Sequence, residues 1–186
     1  MAVALAVVWC AGCIGTTQRA DFEDEVGRRG GGLTNDWVEE SFDAAATALG
    51  VDEAGEIEVL SARVVPVGQV LTVQARRGDQ PDFVDVVVVR SGSVASSEAV
   101  QDADERPLDE LATPLSSLPL DDVADLGDRA LEAFGDDGFV AHIDVIVVGG
   151  ERVVDVAVES DRRTATVRFD GNGELVKART DYYTHA

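Results

Sequence analysis

The chain has 186 residues, of which 45% are apolar and only 5% aromatic, enough apolar material for a real core built mainly from Val, Leu and Ala. Against 15 Lys and Arg stand 36 Asp and Glu, a formal net charge of −21 with a pI near 4.2, and Lys177 is the sole lysine. Such a field repels nucleic acid phosphates and anionic lipid headgroups, so it argues against nucleic acid as a partner.

Met1 to Cys13 is an uncharged apolar run that closes on Ala11-Gly12-Cys13. A short hydrophobic segment followed by small residues lets a peptidase reach the backbone and leaves the next cysteine free to carry lipid on its thiol. The segment resembles a secretory signal ending in the lipobox of prokaryotic lipoproteins. Cys10 stands where a lipobox usually carries Leu, and no basic residue precedes Cys13. The resemblance implies that residues 1–12 are a cleaved signal and that Cys13 is the lipidation site. The protein would then be held on the extracytoplasmic side of the cell membrane by acyl chains. About a dozen apolar residues is too short for a spanning helix, which needs roughly 20.

Trp9-Cys10-Ala11-Gly12-Cys13 also resembles the WCxxC redox motif of thioredoxin-like proteins. In that family the motif follows a buried strand and opens a helix whose dipole lowers the thiol pKa. Here only eight residues precede it, and Ile14-Gly15-Thr16-Thr17 shows no helical apolar spacing. A thiol redox protein is therefore kept as an alternative reading. Residues 13–32 carry Asp21, Glu23, Asp24 and Glu25 and end in Gly30-Gly31-Gly32, the composition of a flexible tether.

From Leu33 the spacing predicts two α+β units, 33–96 and 120–186. In the first, Leu33, Trp37, Val38, Phe42, Ala45 and Leu49 recur at helical spacing, with Thr34, Asn35 or Asp36 as N-cap and Gly50 as the stop. Period-two alternation then predicts strands over Glu56–Val65, Val70–Arg76 and Phe83–Arg90, with a short fourth at Val94–Ser96. In the second unit Leu120, Val123, Leu126, Ala130, Leu131 and Phe134 mark a helix between Asp121 or Asp122 and Gly135. Strands follow over Phe139–Val148, Val153–Glu159, Thr164–Phe169 and Glu174–Arg179. Between the units, 97–119 is acidic and holds Pro107, Pro114 and Pro119, which reads as a connector with one helical turn around Leu108–Leu111.

The order of helix and then antiparallel strands, closing in Val167-Arg168-Phe169-Asp170-Gly171-Asn172-Gly173-Glu174-Leu175-Val176, resembles a PepSY module. In tandem, that resemblance implies an α+β fold of two helix-plus-antiparallel-strand units, the helices packed on one face of the sheet. It also implies a binding or regulatory role, with no functional residue carried over.

No residue set defines a catalytic, cofactor or metal site. Asp170-Gly171-Asn172-Gly173-Glu174 has the opening of a calcium loop but lacks the closing Glu, and its glycines suit a tight hairpin. His142 and His185 are the only histidines, too few for a zinc site. Paired carboxylates at Asp104-Glu105, Asp121-Asp122 and Asp136-Asp137 leave a metal- or carboxylate-dependent hydrolase as a second alternative, although no aromatic platform accompanies any pair. Aspartates at helix starts have a simpler use as caps. The leading expectation is a lipid-anchored, non-enzymatic binding or accessory protein. Its open sheet face, decorated by Gln74, Arg76, Asp85, His142, Asp144, Asp155 and Arg168, would be the platform for a protein or envelope partner.

Overall fold

The computed structural model describes residues 33–76, 83–101, 111–135, 138–148 and 151–182. Helix α1 (Asn35–Leu49) follows Thr34 in extended conformation and ends at Gly50, whose φ of 72° is the left-handed geometry of a glycine C-cap. Strands β1 (Glu58–Val65), β2 (Val70–Arg76), β3 (Phe83–Arg90) and β4 (Ser93–Gln101) come next, then the short β5 (Thr113–Pro114). Helix α2 (Val123–Phe134) leads into β6 (Phe139–Val148), β7 (Glu151–Glu159), β8 (Arg163–Asp170) and β9 (Leu175–Tyr182).

These strands correct the expected fold class. They form one nine-stranded antiparallel sheet in the order β4-β3-β2-β1-β6-β7-β8-β9, with β5 paired to β1, and not two helix-plus-strand units. The join is β1 with β6, through Ala62↔Val145, Arg63↔Asp144 and Val64↔Ile143. Period-two alternation marks where a strand lies and which face is apolar, but it is silent on which strands from distant segments pair. Left apart, β1 and β6 would each expose an edge of unpaired N–H and C=O groups, and their union removes both edges. The strand after Gly92 also runs past Ser96 to Gln101.

One face of this sheet is covered. Helix α1 packs on β2, β3 and β4, and α2 on β6, β7, β8 and β9. Trp37, Val38, Phe42, Ala45, Val123, Leu126, Ala130 and Phe134 meet strand residues such as Leu71, Val73, Val87, Ile143, Val156, Val167 and Phe169 in a single hydrophobic cluster. The helix starts are tied to each other. Asp122 Oδ1 accepts from the Asp125 N–H as the N-cap of α2, and Asn35 both donates to Asp122 and accepts from the Ala124 N–H, all at 3.1 Å. Arg152 of β7 stitches β5 to the sheet by donating to Thr113 Oγ1 and to the carbonyls of Leu111 and Val59.

Because one core serves the whole sheet, thermal unfolding followed by near-UV and far-UV dichroism is expected to show one coincident transition. Phe169 is fully buried on β8, so Phe169→Ala should lower the stability of that single transition by about 3–5 kcal/mol. Two separable transitions, only one of them moved by the substitution, would contradict a continuous core.

Candidate functional site

A cleft of about 660 Å³ opens where α1 ends above the sheet. Its origin lies in the register of β2, β3 and β4. On the helix-facing side these strands present successive cross-strand rows: Leu71, Val89 and Val94; then Val73, Val87 and Ser97; then Ala75, Asp85 and Ala99. Side chains in the third row are small or charged, so the space that Val and Leu fill elsewhere is left open. Ala48, Leu49 and Val51 wall one side of the cleft and Glu56, Ile57 and Glu58 the other. Arg76 closes the end. Its Nη1 donates to Glu58 Oε2 at 2.9 Å, while its Nε is buried and has no hydrogen-bond partner among the described residues.

A second groove of about 450 Å³ runs between α1 and two short 3₁₀ turns, Ala54–Glu56 and Leu115–Ser117. Phe42, Leu115, Leu118 and Leu120 give it an apolar lining, with Glu39, Asp43 and Asp121 at its polar margin.

The uncovered face carries a charged row with one residue on each strand: Arg63 of β1, Asp144 of β6, Asp155 of β7, Arg168 of β8 and Lys177 of β9. Two bidentate pairs organise it. Arg63 donates from Nε and Nη2 to the two Asp144 oxygens at 2.6 and 2.8 Å, and Arg168 holds Asp155 in the same way at 2.7 and 2.6 Å. Each pair keeps its guanidinium charged even more firmly than usual, chiefly through the carboxylate hydrogen bonds. His142 Nε2 lies 3.5 Å from Asp144 Oδ2. Adjacent carboxylates at Asp144 and Asp155 are thus each matched by an arginine on the outer side, which offsets the repulsion between them.

Of the residues expected on the open face, Gln74, His142, Asp144, Asp155 and Arg168 are there, Arg76 shares the strand parity of Gln74 while bordering the end of the cleft, and Asp85 lines the cleft from the helix side. Asp85 shares its strand parity with Val87 and Val89, which face the helix. Arg63 and Glu58, the partners of Asp144 and Arg76, had no mark in the sequence beyond strand alternation, because each contact depends on pairing. Cys10, Cys13, His185, Asp104-Glu105 and Asp136-Asp137 lie outside the described residues. Asp122 of the third carboxylate pair is a helix cap. Asp170 Oδ1 accepts from the backbone N–H groups of Asn172 and Glu174 at 2.8 and 2.9 Å, and Gly173, at φ 79°, completes the turn between β8 and β9. Among the described residues no group of three or more His, Cys, Asp or Glu is gathered as a metal site, and no helix is long and apolar enough to cross a membrane.

This architecture is a single antiparallel sheet with helices on one face, a cleft at the end of the first helix and a self-paired charged row on the other face. No family model and no curated protein matches the sequence, so the PepSY resemblance has no family model behind it. Among solved structures, the crystal structure of a candidate lipoprotein from Clostridium difficile is similar, with a TM-score of 0.53 over 68% of this chain and 84% of that chain. Identity is 11%, so the likeness is one of fold.

Two measurements check this geometry. A double-mutant cycle over Arg63→Ala and Asp144→Ala should return a coupling of about 0.5–1 kcal/mol, modest because Arg63 is more than half exposed. Zero coupling would place the pair outside the forces that align β1 with β6. At Asp170 the Glu174 and Asn172 amides hold the carboxyl below its ordinary range, so its stabilisation exists above the unfolded pKa and is lost as pH falls through the folded one. Asp170→Ala should therefore lower the melting temperature at neutral pH, and the gap from the parent should close in acid. A gap independent of pH would contradict a role for the ionised carboxylate.

Proposed function

We propose that this chain is a lipid-anchored extracytoplasmic protein that binds a partner and carries out no reaction of its own. The observation that carries the reading is Ala11-Gly12-Cys13 at the close of an uncharged apolar segment, followed by an acidic, glycine-ended stretch suited to a tether. Acyl chains contribute about 0.8 kcal/mol per buried CH₂, so a diacylglyceryl group on Cys13 holds far more firmly than one myristoyl chain. A similarly folded protein that is itself a candidate lipoprotein supports the same assignment.

The binding half of the proposal draws on surface. The cleft sets apolar side chains such as Leu49, Val51 and Ile57 beside charged ones such as Glu56 and Asp85, a mixture from which a recognition site can be built. The open face offers a second, flatter platform, although its arginines and aspartates already satisfy one another. A partner docking there would gain little from those charges unless it displaced them.

Cys13→Ser should move the protein from the membrane fraction of its native host to the aqueous fraction, and mass spectrometry of the parent should find acylglyceryl mass on Cys13 at the mature N-terminus. An intact Met1, or an unmodified Cys13 thiol in membrane-extracted protein, would overturn the anchor.

A further inference from the structure

The two outer strands of the sheet differ. Strand β9 carries Lys177 and Arg179, the kind of charged residue by which natural sheets blunt an edge against pairing. Strand β4 reads Ser-Val-Ala-Ser-Ser-Glu-Ala-Val-Gln, with Glu98 as its one charge in nine residues. Among the described residues it pairs with β3 alone, and every residue from Ser93 to Val100 is exposed. Its N-terminal end is bulged between the partners of Val88 and Val89, but Ser96 to Gln101 keeps regular register.

This edge, unpaired among the described residues, borders the cleft, which Ser97 and Ala99 line from β4. A strand added beside β4 would be held by main-chain hydrogen bonds, and its alternate side chains would fall on the helix-facing side, over the cleft. That division of labour is how strand addition combines affinity with selectivity. The charge around the edge names the partner. Glu40 reaches the β3–β4 turn, with Oε2 3.7 Å from where a Cβ on Gly92 would stand, Glu98 lies on β4, and Glu56, Glu58 and Asp85 line the cleft. Among the described residues the surroundings of the edge and cleft are thus mainly acidic, with Arg76 paired to Glu58 and Arg90 at the end of β3.

We propose that the edge of β4 and the cleft beside it receive an extended, basic segment of a partner polypeptide as a further strand. The proposal rests on the reading of the chain as a binding protein and supplies the surface and the class of partner. A second copy of the chain fits the edge less well. Each copy carries a net charge of −21, and two β4 strands would bring their Glu98 residues together. Pairing β4 of one copy with β9 of another is head-to-tail and would propagate as a filament.

The test uses the full chain with Cys13→Ser, so its result is independent of lipidation. The probe is a fluorescently labelled nine-residue peptide alternating Arg and Val, a match for the length of β4. Its twin carries N-methyl groups on the amides of every second residue, with the same charge and no ability to pair along one edge. At physiological ionic strength the parent peptide should bind, protect β4 amides from hydrogen exchange, and lose about tenfold or more in affinity on N-methylation. Ala99→Trp, which fills the cleft beside the edge, should cost a similar factor, and the N-methylated peptide keeps the test valid even where that variant folds poorly. Equal binding of the two peptides would reduce the effect to surface charge and overturn the proposal. Protection of β4 without peptide, in a species sedimenting as a dimer, would overturn it in favour of a second copy.

Discussion

The pairing of β1 with β6 is the constraint on which the rest of the structure depends. It rests on few residues, with Ala62, Val64, Ile143 and Val145 on the covered face and Arg63 with Asp144 on the open one. A slip of one residue would turn those four apolar side chains to solvent and bring Arg63 and Asp144 under the helices, so burial and charge specify the same register. Burial supplies most of the energy. The exposed ion pair is worth at most about 1 kcal/mol, and its contribution is to make the alternative registers worse.

Joining at that seam also sets what remains open. Among the described residues the path runs from β4 to β9 as its outer strands, and α1 and α2 become neighbours whose starts are linked through Asn35 and Asp122. With the helices committed to one face, the other is free to carry charge, and the row from Arg63 to Lys177 crosses the seam without interruption. A single sheet therefore separates three environments: a dry covered face, a charged open face and two edges with different chemistry.

How far this was legible in the sequence follows from the range of each interaction. Strands Val70–Arg76, Phe83–Arg90 and Phe139–Val148 fall where alternation and turn residues place them, and Gly50 stops α1 as its left-handed φ requires. These signals are local. Ser97 to Gln101 lacks an apolar period, and it is strand because β3 offers it a partner, which no reading of its own composition reveals. The seam lay out of reach for the same reason, since Arg63 and Asp144 are 81 residues apart. Asp85 is the instructive miss. It sits in the run Val84-Asp85-Val86-Val87-Val88-Val89, where both parities are apolar and a charged residue suggests the solvent face, yet the register puts it on the helix side.

That placement explains why the cleft exists. Covering Asp85 with the apolar flank of α1 would desolvate a carboxylate, at a cost of several kcal/mol unless it were fully hydrogen-bonded. The helix instead ends at Leu49, Gly50 turns the chain away, and the row beneath holds Ala75 and Ala99 where larger residues would have reached up to fill the space. One carboxylate and two alanines thus interrupt the Leu and Val packing that β2 and β3 present in the two neighbouring rows. Sequences depart from local consistency mainly where function asks for it, and here the departure produces a lined cavity beside the least protected edge of the sheet. The cleft and the edge are consequences of one choice of residues in β2, β3 and β4, which is the physical ground for treating them as a single surface.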